Sequence, residues 1–411
     1  MRGDVLSQPK SAHILVAGTG PAGLIAALGL AKAGFSITLI GPDVRKDDRR
    51  TTALMVPAVQ FLDSIGVTGK IQPDAAPLRV MRIVDGTQRL IRSPVVTFRA
   101  AEIGEQFFGL NIPNAVLNNA LEAAVVDEPN IEWRKTLVER WSIGGADITA
   151  RLEDGSAATG ALAVAADGRM SAAREAAGIR TTTRQYDQAA LVLTFAHARD
   201  HAETSTEFHT ETGPFTQVPL PGNRSSLVWV VKPRTAAELE ALDDATLSRT
   251  IEDCMQSMLG RVTVDPGRQV YPLSAGLPAR FGQNRIALIG EAAHIFPPIG
   301  AQGMNLGIRD IRELIDVVEK NRPEPGSASA LADYDRRRRP DILARTGAVN
   351  LLNMSLLSSI IPAQLMRSAG LGLLGNFAPL RALFMREGLH PGSGLRSIFA
   401  DLRDQIRRQP S

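Results

Sequence analysis

The sequence predicts an α/β fold: a parallel sheet covered by helices, an inserted antiparallel β-sheet domain and a helical C-terminal region. Three observations predict it. Near the N-terminus an apolar run meets a glycine cluster, an Ala/Leu-rich stretch and a second apolar run. Residues 189–231 are rich in β-branched and aromatic side chains, punctuated by turn sequences. From residue 330 to Ser411 the composition is helical with Pro and Gly breaks.

The N-terminal unit comes first. His13 to Ala17 is apolar and leads into Gly18-Thr19-Gly20-Pro21-Ala22-Gly23. Ala22 to Ala33 has helical character, Gly34 ends it, and Ser36 to Ile40 is a second buried strand. Strand, glycine turn, helix and strand make a Rossmann-like βαβ unit. A helix start presents unpaired N–H groups and the positive end of the helix dipole, which suits a pyrophosphate. In that reading Gly18 makes the tight turn, Gly20 lets backbone approach phosphate, and Gly23 lets helix pack on strand. The acid that often ends the second strand is absent, because Gly41, Pro42 and Asp43 follow Ile40. Contact to an adenosine ribose then falls to Asp43 or to backbone and water.

Leu191–Phe195, Phe215–Val218 and Ser226–Val231 read as antiparallel strands of the inserted domain, with Leu220-Pro221-Gly222-Asn223 as a turn. Ala236–Leu259 reads as one helix. Ile286–Ile289 reads as a strand of the first domain, followed by a Gly/Pro-rich turn over Gly290–Asn305. Leu306–Lys320 then reads as a helix, and Asn321–Ser329 as a linker.

Composition narrows the function. The chain has 411 residues and only 5% aromatics, so a stacking surface for single-stranded nucleic acid is not expected. The one cysteine, Cys254, reads as a buried inert thiol and suits a reducing cytoplasm. Met1–Lys10 lacks the apolar core of a secretion signal. From Leu331 to Ser411 there are 12 Lys+Arg against 6 Asp+Glu, a net of +6, while the preceding part is net −3. Thr346–Met366 has no charge, yet Ser, Asn, Pro and Gln dilute it. A packed or surface-lying helix is expected there rather than a membrane span. His197 and His201 stand four apart, with His209 further on. Their surroundings read as strand and loop without a third ligand, so no metal site is expected.

Two further segments complete the pattern. Ala166-Asp167-Gly168-Arg169-Met170-Ser171, with Arg174, trails a buried apolar run. Gly290-Glu291-Ala292-Ala293-His294 continues through Pro298-Ile299-Gly300-Ala301-Gln302-Gly303-Met304-Asn305 to Asp310. With the first glycines, these resemble the three FAD fingerprints of the single-component flavoprotein aromatic hydroxylases. Arg50-Thr51-Thr52-Ala53-Leu54 and the C-terminal Ala378–Glu387 segment are similar to the ubiquinone-biosynthesis hydroxylases of the UbiH/UbiF/UbiI type, and the resemblance covers nearly the whole chain.

The resemblance implies a Rossmann-like FAD-binding domain (residues 1–75, 105–180 and 276–345), an inserted antiparallel β-sheet substrate domain (76–104 and 181–275) and a helical C-terminal region (346–411). It places Gly18, Gly20, Pro21, Ala22 and Gly23 at the FAD pyrophosphate and Arg50 near the cofactor. It places Asp167 and Gly168 where flavin and nicotinamide approach. Glu291 falls on a ribityl hydroxyl, and Pro298, Gly300, Ala301, Gln302, Gly303, Met304 and Asn305 lie along the isoalloxazine. His294 is structural. Three departures stand out: Glu291 replaces the commoner aspartate, Gly300-Ala301 inverts a frequent Ala-Gly, and Phe296 replaces a frequent histidine.

The implied reaction is ring hydroxylation of a polyprenylated phenol, with NAD(P)H and O2 as co-substrates. No side chain is expected to act as a covalent catalyst, since the flavin C4a-hydroperoxide does the chemistry. The basic C-terminal region would hold a cytoplasmic enzyme at the inner membrane face, beside other quinone-biosynthesis enzymes. Two alternatives stay open: a flavin-dependent reductase or dehydrogenase on the same fold, and a non-catalytic subunit of a quinone-biosynthesis assembly.

Overall fold

The computed structural model describes residues 12–44, 46, 48–87, 92–297, 302–357 and 370–389. Its first sheet centres on β1 (His13–Ala17). On one side lie β2 (Ser36–Ile40) and then Ile131–Arg134; on the other lie Leu162–Ala165, Ile286–Leu288 and Gly282–Gln283. All neighbours are parallel except the last pair. Ile14–Ala17, Ile37–Ile40 and Leu162–Ala165 are buried throughout, as a sheet covered on both faces demands. This is why these strands are continuous apolar runs rather than alternating ones.

The helix α1 (Pro21–Lys32) starts with proline at its first position, where the missing N–H costs nothing. Gly23 to Ala31 are all buried, so the helix is apolar all round. It is wedged between the sheet, helix Asn114–Val126 and helix Gln302–Lys320, with Gly29 facing Ile315.

The second sheet runs Val262–Val264, Thr181–His197, Arg224–Val231, Pro214–Leu220, Thr204–His209, Val80–Asp85 and Val96–Arg99, with Gln269–Pro278 added on Thr181–His197. It is antiparallel except where Thr204–His209 meets Val80–Asp85 in parallel. That parallel pair arises because Val80–Asp85 enters from a distant part of the chain, which no hairpin constrains. One face packs Leu191, Leu193, Phe215, Leu227 and Trp229 on helices Pro233–Glu240 and Asp244–Cys254. The single helix expected over Ala236–Leu259 is therefore two. Asp243 caps the second by accepting the Thr246 N–H, which fixes a new helix start.

Helix Gln302–Lys320 begins inside the expected turn. The next helix, Ala328–Leu357, starts within the expected linker and runs through Pro340. No helix among the described residues is long and apolar enough to cross a membrane. Side chains of 345–357 and all of 358–369 lie outside what is described, so the uncharged stretch Thr346–Met366 is seen only as helical backbone as far as Leu357.

Candidate active site

The three segments meet at the C-terminal edge of the parallel sheet. Gly18 adopts φ +113°, and a Cβ there would lie 2.2 Å from the Ala166 carbonyl oxygen. At Gly23 a Cβ would lie 1.9 Å from the Gly18 carbonyl oxygen and 3.3 Å from Ala166 Cβ. Only glycine fits at either position, so the first turn and the Asp167 segment are pressed together. Gly290 closes on the same helix, since a Cβ there would meet Ala22 Cβ at 3.1 Å.

At the mouth of this junction the packing opens. A Cβ on Gly20 or on Gly303 meets nothing within 4 Å. Gly20 is the N-cap of α1, and no side chain caps that end. The N–H groups of Ala22 and Gly23 have no intrahelical acceptor, as in the first turn of any helix. Such a cradle suits a phosphate. Asp167 Oδ2 accepts the Ala173 N–H at 3.1 Å, while Oδ1 is buried without a partner among the described residues. An orphaned carboxylate oxygen beside a helix start is an acceptor awaiting a hydroxyl donor. Gly168, at φ +82°, lets the chain turn away.

Arg174 ties the second segment to the third, donating to the carbonyls of Arg169 and Ala292 at 2.8 and 2.9 Å. Glu291 is exposed, with Arg169 3.8 Å away. Arg50 is close enough to Glu291 to feel its charge. It pairs with Asp48 at 2.6 Å and lies 5.9 Å from the centre of the Tyr271 ring. Burial pushes the Asp48 carboxyl up, but hydrogen bonds from Arg50 and Asn114 outweigh it and hold the group down at about 2. Asn305, in the first turn of helix Gln302–Lys320, clasps β3 (Thr51–Met55). Its Oδ1 accepts the Met55 N–H, and its Nδ2 donates to the Ala53 carbonyl, both at 2.8 Å. Met304 is half-buried against the core. Pro298, Gly300 and Ala301 lie outside the described residues, as does the Gln302 side chain.

Beneath the third segment lies a buried charged cluster. Asp310 Oδ2 accepts from the Gly290 N–H (3.0 Å) and His294 Nε2 (2.7 Å), and Oδ1 accepts from Arg338 Nε (2.8 Å). His294 thus has a structural partner, as expected. The two residues that follow the second strand sit as follows. Asp43 is exposed and pairs with Lys135 at 2.6 Å. A Cβ on Gly41 would meet the Thr19 side chain at 2.6 Å, so an acid has no room there.

The sequence reading missed the inner face of the second sheet, opposite its helices. Thr51 Oγ1 donates to Ser226 Oγ at 2.9 Å, which turns this face toward β3. Its side chains Met81, Ile83, Val192, Thr216, Val218 and Val228 are neither buried nor exposed, unlike the fully buried helix face. Period-two alternation in these strands carried the signal, but register alone could align them into one floor. His197 lies on the other face, bonded to the Arg199 carbonyl and to Ser225 Oγ. No cluster of three metal-ligating side chains occurs among the described residues.

Comparison with known proteins agrees with this geometry. Residues 11–346 match the FAD binding domain family. The chain is 33% identical to the ubiquinone hydroxylase UbiL of Rhodospirillum rubrum, over 93% of this chain and 90% of that one. It is 29% identical to the 3-demethoxyubiquinol 3-hydroxylase of Escherichia coli, over 87% and 93%. In fold it is similar to the p-nitrophenol 4-monooxygenase PnpA of Pseudomonas putida, with a TM-score of 0.75 at 20% identity, covering 94% of this chain and 98% of that one. It is also similar to an HpxO variant of Klebsiella pneumoniae complexed with FAD, with a TM-score of 0.73 at 19% identity, covering 93% and 99%.

Proposed function

The chain belongs to the FAD binding domain family and is an FAD-dependent monooxygenase that uses O2 on an aromatic substrate, and from that premise we propose that it hydroxylates the ring of a polyprenylated phenol in ubiquinone biosynthesis, with NAD(P)H as reductant. The observation that carries this reading is the near full-length similarity to hydroxylases named for ubiquinone and demethoxyubiquinol. The half-buried, largely apolar floor of the second sheet supports it, because an apolar ring gains roughly 25 cal/mol for each Å² it buries there.

When bound, FAD supplies the electron transfer and the oxygen chemistry. The residues of the chain then position and insulate it. Gly18, Gly20, Pro21, Ala22 and Gly23 would hold the pyrophosphate on the free N–H groups of α1. Asp167 Oδ1, with Gly168 giving clearance, would accept a hydroxyl of the cofactor. Glu291 would accept a ribityl hydroxyl, with Arg169 as its counter-charge. Arg50, already balanced by Asp48, would lie along the cofactor without adding a net charge to the cleft. Gly303, Met304 and Asn305 would present a helix start to the electron-rich reduced ring.

Membrane association belongs to the same proposal. Leu373, Phe377 and Phe384 are exposed in the C-terminal helices, and Val95 is exposed beside them. An apolar patch in a region of net +6 suits an anionic lipid surface.

The test is isotope-labelled O2. The purified protein, given a polyprenylated phenol and NAD(P)H, should place one labelled oxygen atom in the product ring. A reduced product without label would instead establish a reductase. Deleting the gene should make a quinone precursor lacking one ring hydroxyl accumulate.

A further inference from the structure

We propose that Glu207 is the proton acceptor for the phenol hydroxyl of the substrate, held in place by His209 and Thr216; this rests on the phenol reading above. Register puts Val192, Val228, Thr216, Glu207 and Ile83 in one row across the inner face. Glu207 is the one carboxylate in that row, and its side chain is 18% exposed. Its Oε1 accepts His209 Nε2 at 2.9 Å and its Oε2 accepts Thr216 Oγ1 at 3.3 Å. A carboxylate only accepts, so the imidazole donates from Nε2 and the hydroxyl donates as well. Both oxygens keep a free lone pair.

Other charges nearby are occupied or face away. Asp85 lies across from His209, but its oxygens accept from Thr87 and the Ser93 N–H. Arg82 points to the helix face, where it meets Met258 Sδ at 3.8 Å. Among the described residues no Lys or Arg pairs with Glu207, and its ionisable partner is His209.

Hydrogen bonds from His209 and Thr216 offset the cost of holding this half-buried carboxylate in place, ready to work as a base. Hydroxylation provides that work. As the ring gains its new C–O bond, the phenol becomes a protonated dienone, a strong acid. Its O–H bond breaks, the bonding pair stays on the oxygen of the neutral dienone, and the proton passes to Glu207. Loss of the ring C–H proton restores the aromatic ring, and Glu207 returns its proton to the oxygen. The released ring proton offsets the one consumed when the second atom of O2 becomes water, with NAD(P)H as the reductant.

The experiment uses the FAD-loaded protein and a prenylated 4-nitrophenol, whose phenolate absorbs visible light. Bound to the wild type, the probe should keep its proton to higher pH than when bound to E207Q. The carboxylate accepts the O–H and repels the phenolate, whereas the Gln amide can donate to it. Turnover of a phenol by E207Q should fall on the order of 10²- to 10⁴-fold, with flavin reduction unchanged. Thr216→Val should shift probe ionisation the same way by less, and it serves if E207Q does not load FAD. Equal ionisation curves for the bound probe in wild type and in these variants would overturn the role of Glu207 alone. A wild type that binds no phenol would overturn the substrate reading with it.

Discussion

Gly20 has backbone angles open to any residue (φ −70°, ψ 170°), and its missing Cβ faces empty space. Valine there should leave the fold intact and fill the cradle above the α1 N–H groups. G20V is expected to melt within a few degrees of wild type and to purify without flavin absorbance; a folded variant with a full flavin spectrum would move the pyrophosphate elsewhere. Asp167→Ala should slow flavin reduction by NAD(P)H. Its stability cost should be only about 1 kcal/mol, the worth of the one helix-start bond it makes. Stopped-flow reduction at the wild-type rate would remove Asp167 from the site. Cys254 needs no chemistry, because burial pushes its thiol up to about 11 and leaves little thiolate to react.

At the scale of elements, helix Gln302–Lys320 is the hub. Asn305 holds β3 at its start, and Asp310 holds Gly290 and His294 from the next turn. Arg338, from helix Ala328–Leu357, locks Asp310 in turn. Burial pushes the Asp310 carboxyl up, but His294 and Arg338 overcome it and hold the group below its ordinary range. Arg338→Met strands that buried carboxylate and should cost roughly 3–5 kcal/mol in chemical denaturation. A double variant with Asp310→Asn should lose less than the two single losses together. The sign with pH follows from the depressed carboxyls, Asp48 and Asp310 among them. Asp48 and Asp310 add stability above the usual carboxylate range, and that share is lost as pH falls through their lowered values. Melting temperature should therefore drop on acidification below about pH 4. Asp48→Asn should flatten part of that drop.

Over the whole molecule, the C-terminal helices bridge both domains. Met385 and Leu389 pack on Val96, Phe98 and Phe108, while Arg309 Nη2 donates to the Leu389 carbonyl at 3.0 Å. This brings the exposed Leu373, Phe377 and Phe384 beside the edge of the second sheet. Replacing Phe377 and Phe384 with serine should abolish sedimentation with anionic vesicles and leave turnover of a short, soluble phenol intact. Removing residues 346–411 should likewise release the protein from vesicles; undiminished binding in both variants would place the lipid contact elsewhere.

The sequence by itself determined the βαβ start, the three segments around Gly20, Asp167 and Glu291, and the β-rich insertion. Each is set by local chemistry: buried parallel strands must be continuous apolar runs, and a tight turn under a helix must be glycine. It also left open what Asp43 pairs with, because Lys135 lies far along the chain. Only the tertiary structure decided this. It also put Val80–Asp85 in parallel beside Thr204–His209, and with it set Glu207 between Thr216 and Ile83. The reason is physical. Strand register across a long chain separation is fixed by packing on both faces of a sheet, and no single segment carries that information.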